Sequence, residues 1–343
     1  MQDRAGEMNV GLLVEGKWQD RWYDTKASGG RFERGETGFR NWVTADGRPG
    51  PSGVGGFKAE PGRYHLYVSM ACPWAHRTLI YRRIKGLESM IGLSVTHWLM
   101  AQHGWTFEPA AGVIADPVHH ARYLYQVYLA ARPDMSGRVT VPILWDRHSG
   151  GIVSNESSEI IRMFNSAFDG VGAAPGDYYP QDLHELIDTL NRRIYDTLNN
   201  GVYMAGFATT QTAYEEAVVP LFDTLDVLDA RLATQRYLCG DRITEADWRL
   251  LPTLLRFDLV YHGHFKCNLR RISDYPHLSG YLRDLYQQPG IAGTCNFDHA
   301  KRHYYASHTA INPTRVVPLG PLPDFDAPHD RARLGGQDLF TQR

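Results

Sequence analysis

The sequence lacks a surplus of charge of either sign. Its 343 residues include 36 lysines and arginines and 38 aspartates and glutamates, so the formal net charge is −2. A protein that binds nucleic acid needs an excess of basic side chains to neutralise phosphates. The near balance of charges therefore argues against a nucleic-acid partner.

The sequence also lacks any apolar run close to the roughly 20 residues that span a bilayer. Its first ten residues, MQDRAGEMNV, have neither the basic start nor the apolar stretch of a secretory signal. We therefore expect no membrane partner and a cytoplasmic location. With 43% apolar and 22% charged residues, the composition is that of an ordinary globular protein, and the length suits two domains.

Cysteine is scarce, and the cysteines form no CxxC pair and no metal-ligand spacing. They are Cys72, Cys239, Cys267 and Cys295. Such scattered thiols suit a reducing compartment, where they stay free. The histidines add no metal motif, because His299 and His303 lie four apart without the glutamate of an HExxH sequence. We predict that the protein holds no metal ion.

The octapeptide MACPWAHR places Cys72 where an apolar, β-rich run gives way to a helical segment. Pro73 suits the first position of that helix, where no backbone N–H is needed. Backbone N–H groups and the helix dipole would then stabilise the thiolate and lower the pKa of Cys72 below its usual value of about 8.5. The alternative is a buried cysteine that serves only in packing.

The position of a second active-site thiol is taken by an apolar residue. Ala75 stands where the second cysteine of a CxxC motif would be. A single thiol can form a mixed disulfide but cannot resolve it within the protein, so an external thiol must do so. The local sequence therefore predicts monothiol chemistry at Cys72.

The first half of the chain predicts the order strand, helix, strand, helix, strand, strand, helix. The predicted elements are Arg63–Ser69, Trp74–Ile84, Ser94–Met100, Tyr123–Ala131, Arg138–Arg147, Gly151–Ser154 and a helix that starts near Asn155. Pro142 would weaken the third strand, unless the Val141–Pro142 bond is cis and the proline forms a wall of the site. This order is that of an α/β thioredoxin-like domain with Cys72 at the N-terminus of its first helix.

The second half of the chain is predicted to be all-α. Apolar residues recur at helical spacing in four segments, which are Asp182–Leu198, Thr212–Thr234, Thr244–Val260 and Tyr275–Gln288. Thr244 and Asp247 form a capping box at the start of one of these helices, with Ile243 and Trp248 as a hydrophobic staple. We interpret this motif as structural.

Composition divides the chain into four parts. We predict an N-terminal extension (1–60), a thioredoxin-like domain (61–170), an all-helical domain (181–310) and a C-terminal tail (311–343). The extension shows no helical period, and we expect an extended arm whose aromatic side chains dock on the body of the protein. The Pro-rich tail would either wrap the surface or be disordered.

Six motifs follow one another along the chain: CPWAHR, TVPILWD, SNESSEI, ITEADWRL, RFDLVYHGHFKCN and HYYASHTAINPTRVVPLGP. Together they resemble the glutathionyl-hydroquinone reductases, the Xi class of glutathione transferases. The resemblance extends from about residue 10 to 320. CP followed by a helix also occurs in Omega-class transferases and glutaredoxins, whereas the N-terminal arm, VYHGHFKCN and the long tail are much more specific to the Xi class.

The resemblance implies a glutathione transferase fold, glutathione as co-substrate and a role for each matching residue. Cys72 would be the nucleophile, and Tyr203, Tyr261 and Tyr304 would line the pocket for an aromatic substrate. The residues that would hold glutathione are Trp105, Arg138, Val141, Glu156 and Ser157. Glu156 would accept from the γ-glutamyl ammonium group, and Ser157 with the helix N–H groups would hold its carboxylate. Tyr305 is the alternative to Tyr304, and a homodimer is also implied.

The expected reaction is the reduction of a glutathionyl-hydroquinone, in which Cys72 takes glutathione as a mixed disulfide and a second glutathione releases it. One alternative is an Omega-like thiol transferase or dehydroascorbate reductase, which would use Cys72 without the three tyrosines. Another is a non-catalytic binding protein of the transferase fold, against which the intact CPWA sequence argues.

Overall fold

A computed structural model describes residues 11–21 and 23–339. The chain forms two compact units. The first contains the described residues of 1–22 together with 36–174 and 294–317, and the second contains 23–35, 175–293 and the described residues of 318–343. Each unit is described by itself below.

The first unit is built on a four-stranded sheet and carries a smaller three-stranded one. Its strands are β1 (Leu12–Val14), β2 (Lys17–Gln19), β3 (Tyr64–Val68), β4 (Ile91–Val95), β5 (Gly137–Arg138), β6 (Ile143–Asp146) and β7 (Gly151–Ser154). In the larger sheet the order is β4-β3-β6-β7, with β3 parallel to β4 and antiparallel to β6. All five residues of β3 are buried, as expected for the central strand of a covered sheet. This is the thioredoxin-like arrangement predicted from the sequence.

Three helices of the first unit follow strands or strand-like segments, as predicted. They are α1 (Pro73–Ile84), α2 (Leu124–Ala131) and α3 (Ser157–Ser166). The helix at Phe297–Ser307, numbered α9 below because of its place in the chain, also belongs to this unit. It is held there by hydrogen bonds from the backbone N–H of Met100 to Ser307 and between His299 and the carbonyl of Ala111.

Two strand predictions need correction. The second strand runs over Ile91–Val95 and not over Ser94–Met100. The partner strand β3 ends at Val68, and Val68 pairs with Val95. Residues after Val95 therefore have no residue of β3 opposite them with which to continue the ladder. The predicted strand Arg138–Arg147 is split into β5 and β6, and the Val141–Pro142 bond between them is cis, which is one of the two possibilities that the sequence left open.

The N-terminal extension contains regular structure that the sequence did not predict. β1 and β2 form a hairpin, and β1 also pairs with β5. The expected docking of aromatic side chains is confirmed, since Trp18 stacks on Tyr125 with ring centroids 4.9 Å apart. Residues 23–35 pack in the second unit, where Phe32 contacts Phe207 at 5.3 Å.

The second unit is helical, as predicted. Its helices are α4 (His184–Ile194), α5 (Gly201–Gly206), α6 (Gln211–Leu232), α7 (Glu245–Arg256) and α8 (Leu278–Tyr286). Two of the predicted helices change their hydrogen-bond pattern before they end. After α4 the chain continues as a π-helical turn at Tyr195–Asn199, and after α7 it does so at Phe257–Tyr261. None of the described helices combines the length and the apolar character needed to cross a membrane.

Part of the C-terminal tail lies on the second unit. The Arg331 side chain is buried and donates to the backbone carbonyls of Leu232, the last residue of α6, and of Gln235 and Arg236 just after it. Cations are favourable at the C-terminus of a helix, where carbonyl groups lack helical partners. The tail therefore wraps the surface at this point, which is the first of the two predicted alternatives.

The capping box at the start of α7 encloses a fully buried carboxylate. Asp247 accepts hydrogen bonds from the backbone N–H groups of Leu238 and Thr244, from the Thr244 hydroxyl and from the Tyr281 hydroxyl. Burial is the largest influence on this group and raises its pKa, while the four donors act in the opposite direction. The motif ties the loop before α7 to α8 and is structural, as we interpreted it.

We predict that Asp247→Ala lowers the free energy of unfolding by about 3 kcal/mol or more, because it leaves several buried donors without an acceptor. Urea denaturation of the full-length protein measures the loss. Asp223→Ala, at an exposed position of α6, is the matched control and should change stability by less than about 0.5 kcal/mol. Equal stabilities of the two variants would contradict this role for Asp247.

Candidate active site

The Cys72 side chain lies where β3 gives way to α1. Its backbone is extended, with φ −78° and ψ 122°, and Pro73 occupies the first turn of the helix. The thiol donates to the carbonyl oxygen of Val141, and the distance from Sγ to that oxygen is 3.6 Å. The residue is half-buried. Its sulfur is therefore held by the fold while part of the residue stays accessible.

Burial separates Cys72 from the two cysteines of the second unit. Cys239 and Cys267 are both buried. Loss of solvation raises the pKa of Cys239 to about 12, and it raises the pKa of Cys267 further. Thiols with such pKa values stay protonated near neutral pH and are poor nucleophiles. These two cysteines therefore pack as small apolar residues.

The fourth cysteine lies close to the first turns of α1. Cys295 is half-buried, and its Sγ atom is 3.8 Å from Nε2 of His76. The same nitrogen is 2.8 Å from the hydroxyl oxygen of Thr294. His76 is thus a buried link between α1 and the segment that precedes α9. Sequence reasoning missed this contact because more than two hundred residues separate the partners and no motif joins them.

The loop before β6 brings Val141 beside the cysteine. Tyr67 of β3 pairs with Ile143 of β6 in an antiparallel register. If this register is continued by two residues beyond the pair, Ser69 lies opposite Val141. Ser69 precedes Cys72 by three residues. The cis bond between Val141 and Pro142 lies at this point. The condition under which we expected Pro142 to form a wall of the site is therefore met.

Glu156 and Ser157 lie at the N-terminus of α3, as predicted. Glu156 is the N-cap, and its carboxylate accepts from the backbone N–H and the hydroxyl of Ser158 at 3.0 and 2.8 Å. The Thr37 hydroxyl is 3.4 Å from its other oxygen. Ser157 is the first residue of the helix and is buried. The carboxylate is thus fixed in place. Its Oε1 atom accepts two hydrogen bonds from Ser158, whereas Oε2, with the Thr37 hydroxyl as partner, retains capacity for a further donor.

Arg138 and Trp105 lie on the first unit as well. Arg138 belongs to β5, and its guanidinium donates to the carbonyl of Arg21 at 2.6 Å. Trp105 is buried, and its ring stacks on His303 of α9 at 4.7 Å. The contact with α9 is a second feature that the sequence did not reveal.

The three tyrosines are divided between the units. Tyr203 and Tyr261 belong to the second unit, where their ring centroids are 6.1 Å apart in an aromatic cluster with Phe265. The guanidinium of Arg34 lies 5.1 Å from the Tyr203 ring. Tyr304 belongs to α9 in the first unit and is buried beside His303 and His308. The neighbouring Tyr305 is half-buried.

The arrangement could supply a sulfur nucleophile, because the Cys72 thiol is held in place and the residue is partly accessible. The first unit contains Cys72 together with the predicted binding residues for glutathione and Tyr304. Within the described residues, no group of three or more histidine, cysteine, aspartate or glutamate side chains could hold a metal ion.

Two family models match the chain. Residues 71–167 match the N-terminal domain of glutathione S-transferase, and residues 211–284 match its C-terminal domain. Cys72 and all five of the predicted glutathione-binding residues fall in the first of these segments.

Curated relatives match almost the whole chain. Glutathionyl-hydroquinone reductase YqjG of Escherichia coli is 59% identical over 94% of this chain and 98% of its own length. Glutathionyl-hydroquinone reductase PcpF of Sphingobium chlorophenolicum is 58% identical over 91% of this chain and 96% of its own.

Solved structures agree with these relatives. The glutathione-bound structure of YqjG from E. coli has a TM-score of 0.87 at 56% identity and covers 94% of this chain and 99% of its own. The Xi-class transferase of Natrialba magadii has a TM-score of 0.88 at 46% identity and covers 97% of this chain and all of its own. On this evidence the chain belongs to the glutathionyl-hydroquinone reductases, the Xi class of glutathione transferases.

Proposed function

We propose that the protein reduces glutathionyl-hydroquinones to hydroquinones, with glutathione as the reductant and Cys72 as the nucleophile. The observation that carries the proposal is the half-buried Cys72 thiol at the start of α1, with no second cysteine at Ala75. The relatives named glutathionyl-hydroquinone reductases support the choice of substrate.

The surroundings of Cys72 suit the parts of glutathione. The backbone of Val141 would pair with the cysteinyl part of the tripeptide, in the manner of an added strand. Glu156 would accept from the γ-glutamyl ammonium group, and the N-terminus of α3 with Ser157 would hold the adjacent carboxylate. We assign Trp105 and Arg138 to further contacts with glutathione.

The first step forms a sulfur–sulfur bond and breaks a carbon–sulfur bond. The Cys72 thiolate attacks the glutathione sulfur of the substrate, and Cys72 keeps glutathione as a mixed disulfide. The electron pair of the broken bond leaves with the aromatic ring. Expulsion of an aryl carbanion would be prohibitively costly, so the ring must first take a form that accepts these electrons.

A hydroquinone can take such a form by tautomerising to a ketone. A proton then resides on the carbon that carries sulfur, and the electrons released by the attack produce an enolate that becomes a phenol on protonation. We propose that Tyr203, Tyr261 and Tyr304 bind the ring and its oxygens and that a tyrosine hydroxyl donates a proton. In the second step another glutathione attacks the mixed disulfide, which yields oxidised glutathione and restores the Cys72 thiolate.

The domain scheme and the assembly belong to the same proposal. Residues 61–170 would bind glutathione, residues 181–310 would contribute to substrate binding and to a homodimer, and 1–60 and 311–343 would be extensions. We also propose that the protein acts in the cytoplasm, where glutathione keeps thiols reduced.

The direct test follows hydroquinone release from a glutathionyl-hydroquinone in the presence of excess glutathione. We expect release by the wild type and a rate below about a thousandth of it for Cys72→Ser, since the nucleophile is lost. Cys295→Ser is the matched control, because Cys295 is the other half-buried thiol of the first unit, and it should retain most of the activity. Absence of release by the wild type would refute the proposed reaction.

The tyrosines distinguish this reaction from simple thiol transfer. We expect at least one of Tyr203→Phe, Tyr261→Phe and Tyr304→Phe to lower hydroquinone release by about a hundredfold, the size of a general-acid effect. Glutathione exchange with a simple mixed disulfide needs no proton transfer to a ring and should be nearly unchanged in the same variant.

The control for these variants is Tyr286→Phe, which keeps the ring contact with Phe325 in the second unit and should leave both reactions unchanged. If none of the three tyrosine variants separated the two reactions, the Omega-like thiol transferase would be the better description.

A further inference from the structure

A cavity of about 610 Å³ lies on the first unit, in the segment between β4 and α2. None of the residues assigned above to glutathione or to the hydroquinone lines it. Its volume falls within the roughly 300–1,000 Å³ of pockets that hold small organic ligands. The cavity is lined mainly by residues 97–108, by Arg122 and Tyr123, and by Arg315 after α9.

The cavity and Trp105 lie on opposite faces of one extended segment. The backbone carbonyl of Trp105 accepts from Leu124, and Thr106 pairs with Tyr123 in an antiparallel bridge. Neighbouring side chains of an extended chain point to opposite faces. Thr106 lines the cavity, whereas the buried Trp105 stacks on His303. The cavity is therefore distinct from the Trp105 side of this segment.

One wall of the cavity is aromatic. The His103 ring lies 4.7 Å from the Tyr123 ring, and Tyr123 stacks on Tyr125 at 5.3 Å. Tyr125 in turn stacks on Trp18 of the N-terminal hairpin. The Trp18 indole N–H donates to the carbonyl of Gln102, which fixes the end of this stack next to His103. A planar ligand could rest against such a rigid stack.

The polar groups of the cavity include hydrogen-bonding capacity that the fold does not use. Nδ1 of His103 is buried and has no hydrogen-bond partner among the described residues. Nδ1 of His97 accepts from the backbone N–H of Leu99, so the neutral His97 ring carries its proton on Nε2 as a donor. Burial lowers the pKa of His97 and favours this neutral form.

Among the charged side chains that line the cavity, one arginine has no acidic partner in the described ranges of the chain. Arg122 and Glu108 form a salt bridge with a distance of 2.6 Å between Nη2 and Oε1, so their charges offset each other. Arg315 also lines the cavity, and within the described part of the chain its guanidinium forms neither a salt bridge nor a hydrogen bond. The pocket therefore favours a ligand with negative charge.

The backbone at Arg315 is held in an uncommon conformation. Its φ is 58°, in the left-handed region that non-glycine residues rarely adopt. The Asn312 side chain donates to the carbonyls of Tyr305 and Val316, and the N–H of Arg315 donates to the carbonyl of Asn312. Side-chain and backbone bonds thus hold this turn against α9. Residues kept in such conformations cluster at ligand sites.

We propose that this cavity binds a small aromatic carboxylate. The ring would rest on the His103–Tyr123 wall, and the carboxylate would accept from the Arg315 guanidinium and from a histidine N–H. The site is separate from the proposed reaction at Cys72 and does not depend on it.

The test is isothermal titration of the full-length protein with 2-naphthoate and with its neutral analogue 2-naphthamide, in the presence of saturating glutathione. We expect 2-naphthoate to bind at least tenfold more tightly, because a charge-assisted hydrogen bond contributes more than a neutral one. Arg315→Ala should weaken binding of 2-naphthoate at least tenfold and leave the affinity for 2-naphthamide within about twofold. His103→Phe keeps the aromatic ring but removes Nδ1, and it should weaken binding of 2-naphthoate by a smaller factor.

The matched control is Arg48→Ala, because Arg48 is a strongly exposed arginine of the first unit that does not line the cavity. It should leave both affinities unchanged. The proposal is overturned if the two ligands bind equally, if Arg315→Ala and Arg48→Ala have the same affinity for 2-naphthoate, or if a glutathionyl-hydroquinone displaces 2-naphthoate from Cys72→Ser, the variant that should not consume it. Hydroquinone release by Arg315→Ala is measured in parallel, and wild-type activity shows that a loss of binding does not reflect misfolding.

Discussion

The contact between the Cys72 sulfur and the Val141 carbonyl is the point on which the proposed chemistry depends. It joins the end of β3 to the loop that precedes β6, and the register of these two strands determines it. A shift of the register by one residue would exchange the faces of β6 and move Val141 away from the thiol. The buried residues of β3 and β6 oppose such a shift, so the core of the sheet also positions the proposed nucleophile.

Solvent access then determines which thiols can react. Cys239 and Cys267 are buried in the second unit, and their pKa values are raised by loss of solvation. Cys72 is half-buried at the start of a helix, where backbone N–H groups favour an anion. Cys295 is also half-buried, but it follows a 3₁₀ turn and precedes α9. Of the four cysteines, only Cys72 is both partly accessible to solvent and placed at the N-terminus of α1, shortly after the central strand β3.

The sequence predicted the local features of the fold well because they depend on neighbouring residues. The Pro73 start of α1 and the capping box at Asp247 are confirmed, and of the two possibilities at Pro142 the cis bond is the one present. The second strand was misplaced because the end of β4 depends on where its partner β3 ends. The hairpin at Trp18 was missed because its strands have only three residues each, too few for a periodic pattern.

The candidate site was predictable only where a motif carries it. Cys72, Glu156 and Ser157 lie at the helix starts where the sequence placed them. The contacts of His76 with Thr294 and of Trp105 with His303 join segments that are distant in sequence, and no local pattern reveals such pairs. The cavity beside Arg315 depends on the same packing of the residues around α9, so it too became visible only in the folded chain.

The central claim is that Cys72 alone accepts glutathione from the substrate. It is tested most directly by mixing the enzyme with one equivalent of a glutathionyl-hydroquinone, without free glutathione, and analysing the acid-quenched protein by peptide mass spectrometry. We predict that close to one equivalent of hydroquinone is released and that glutathione is found on the peptide that contains Cys72. Glutathione on Cys295, or release of hydroquinone without a mixed disulfide at Cys72, would contradict it.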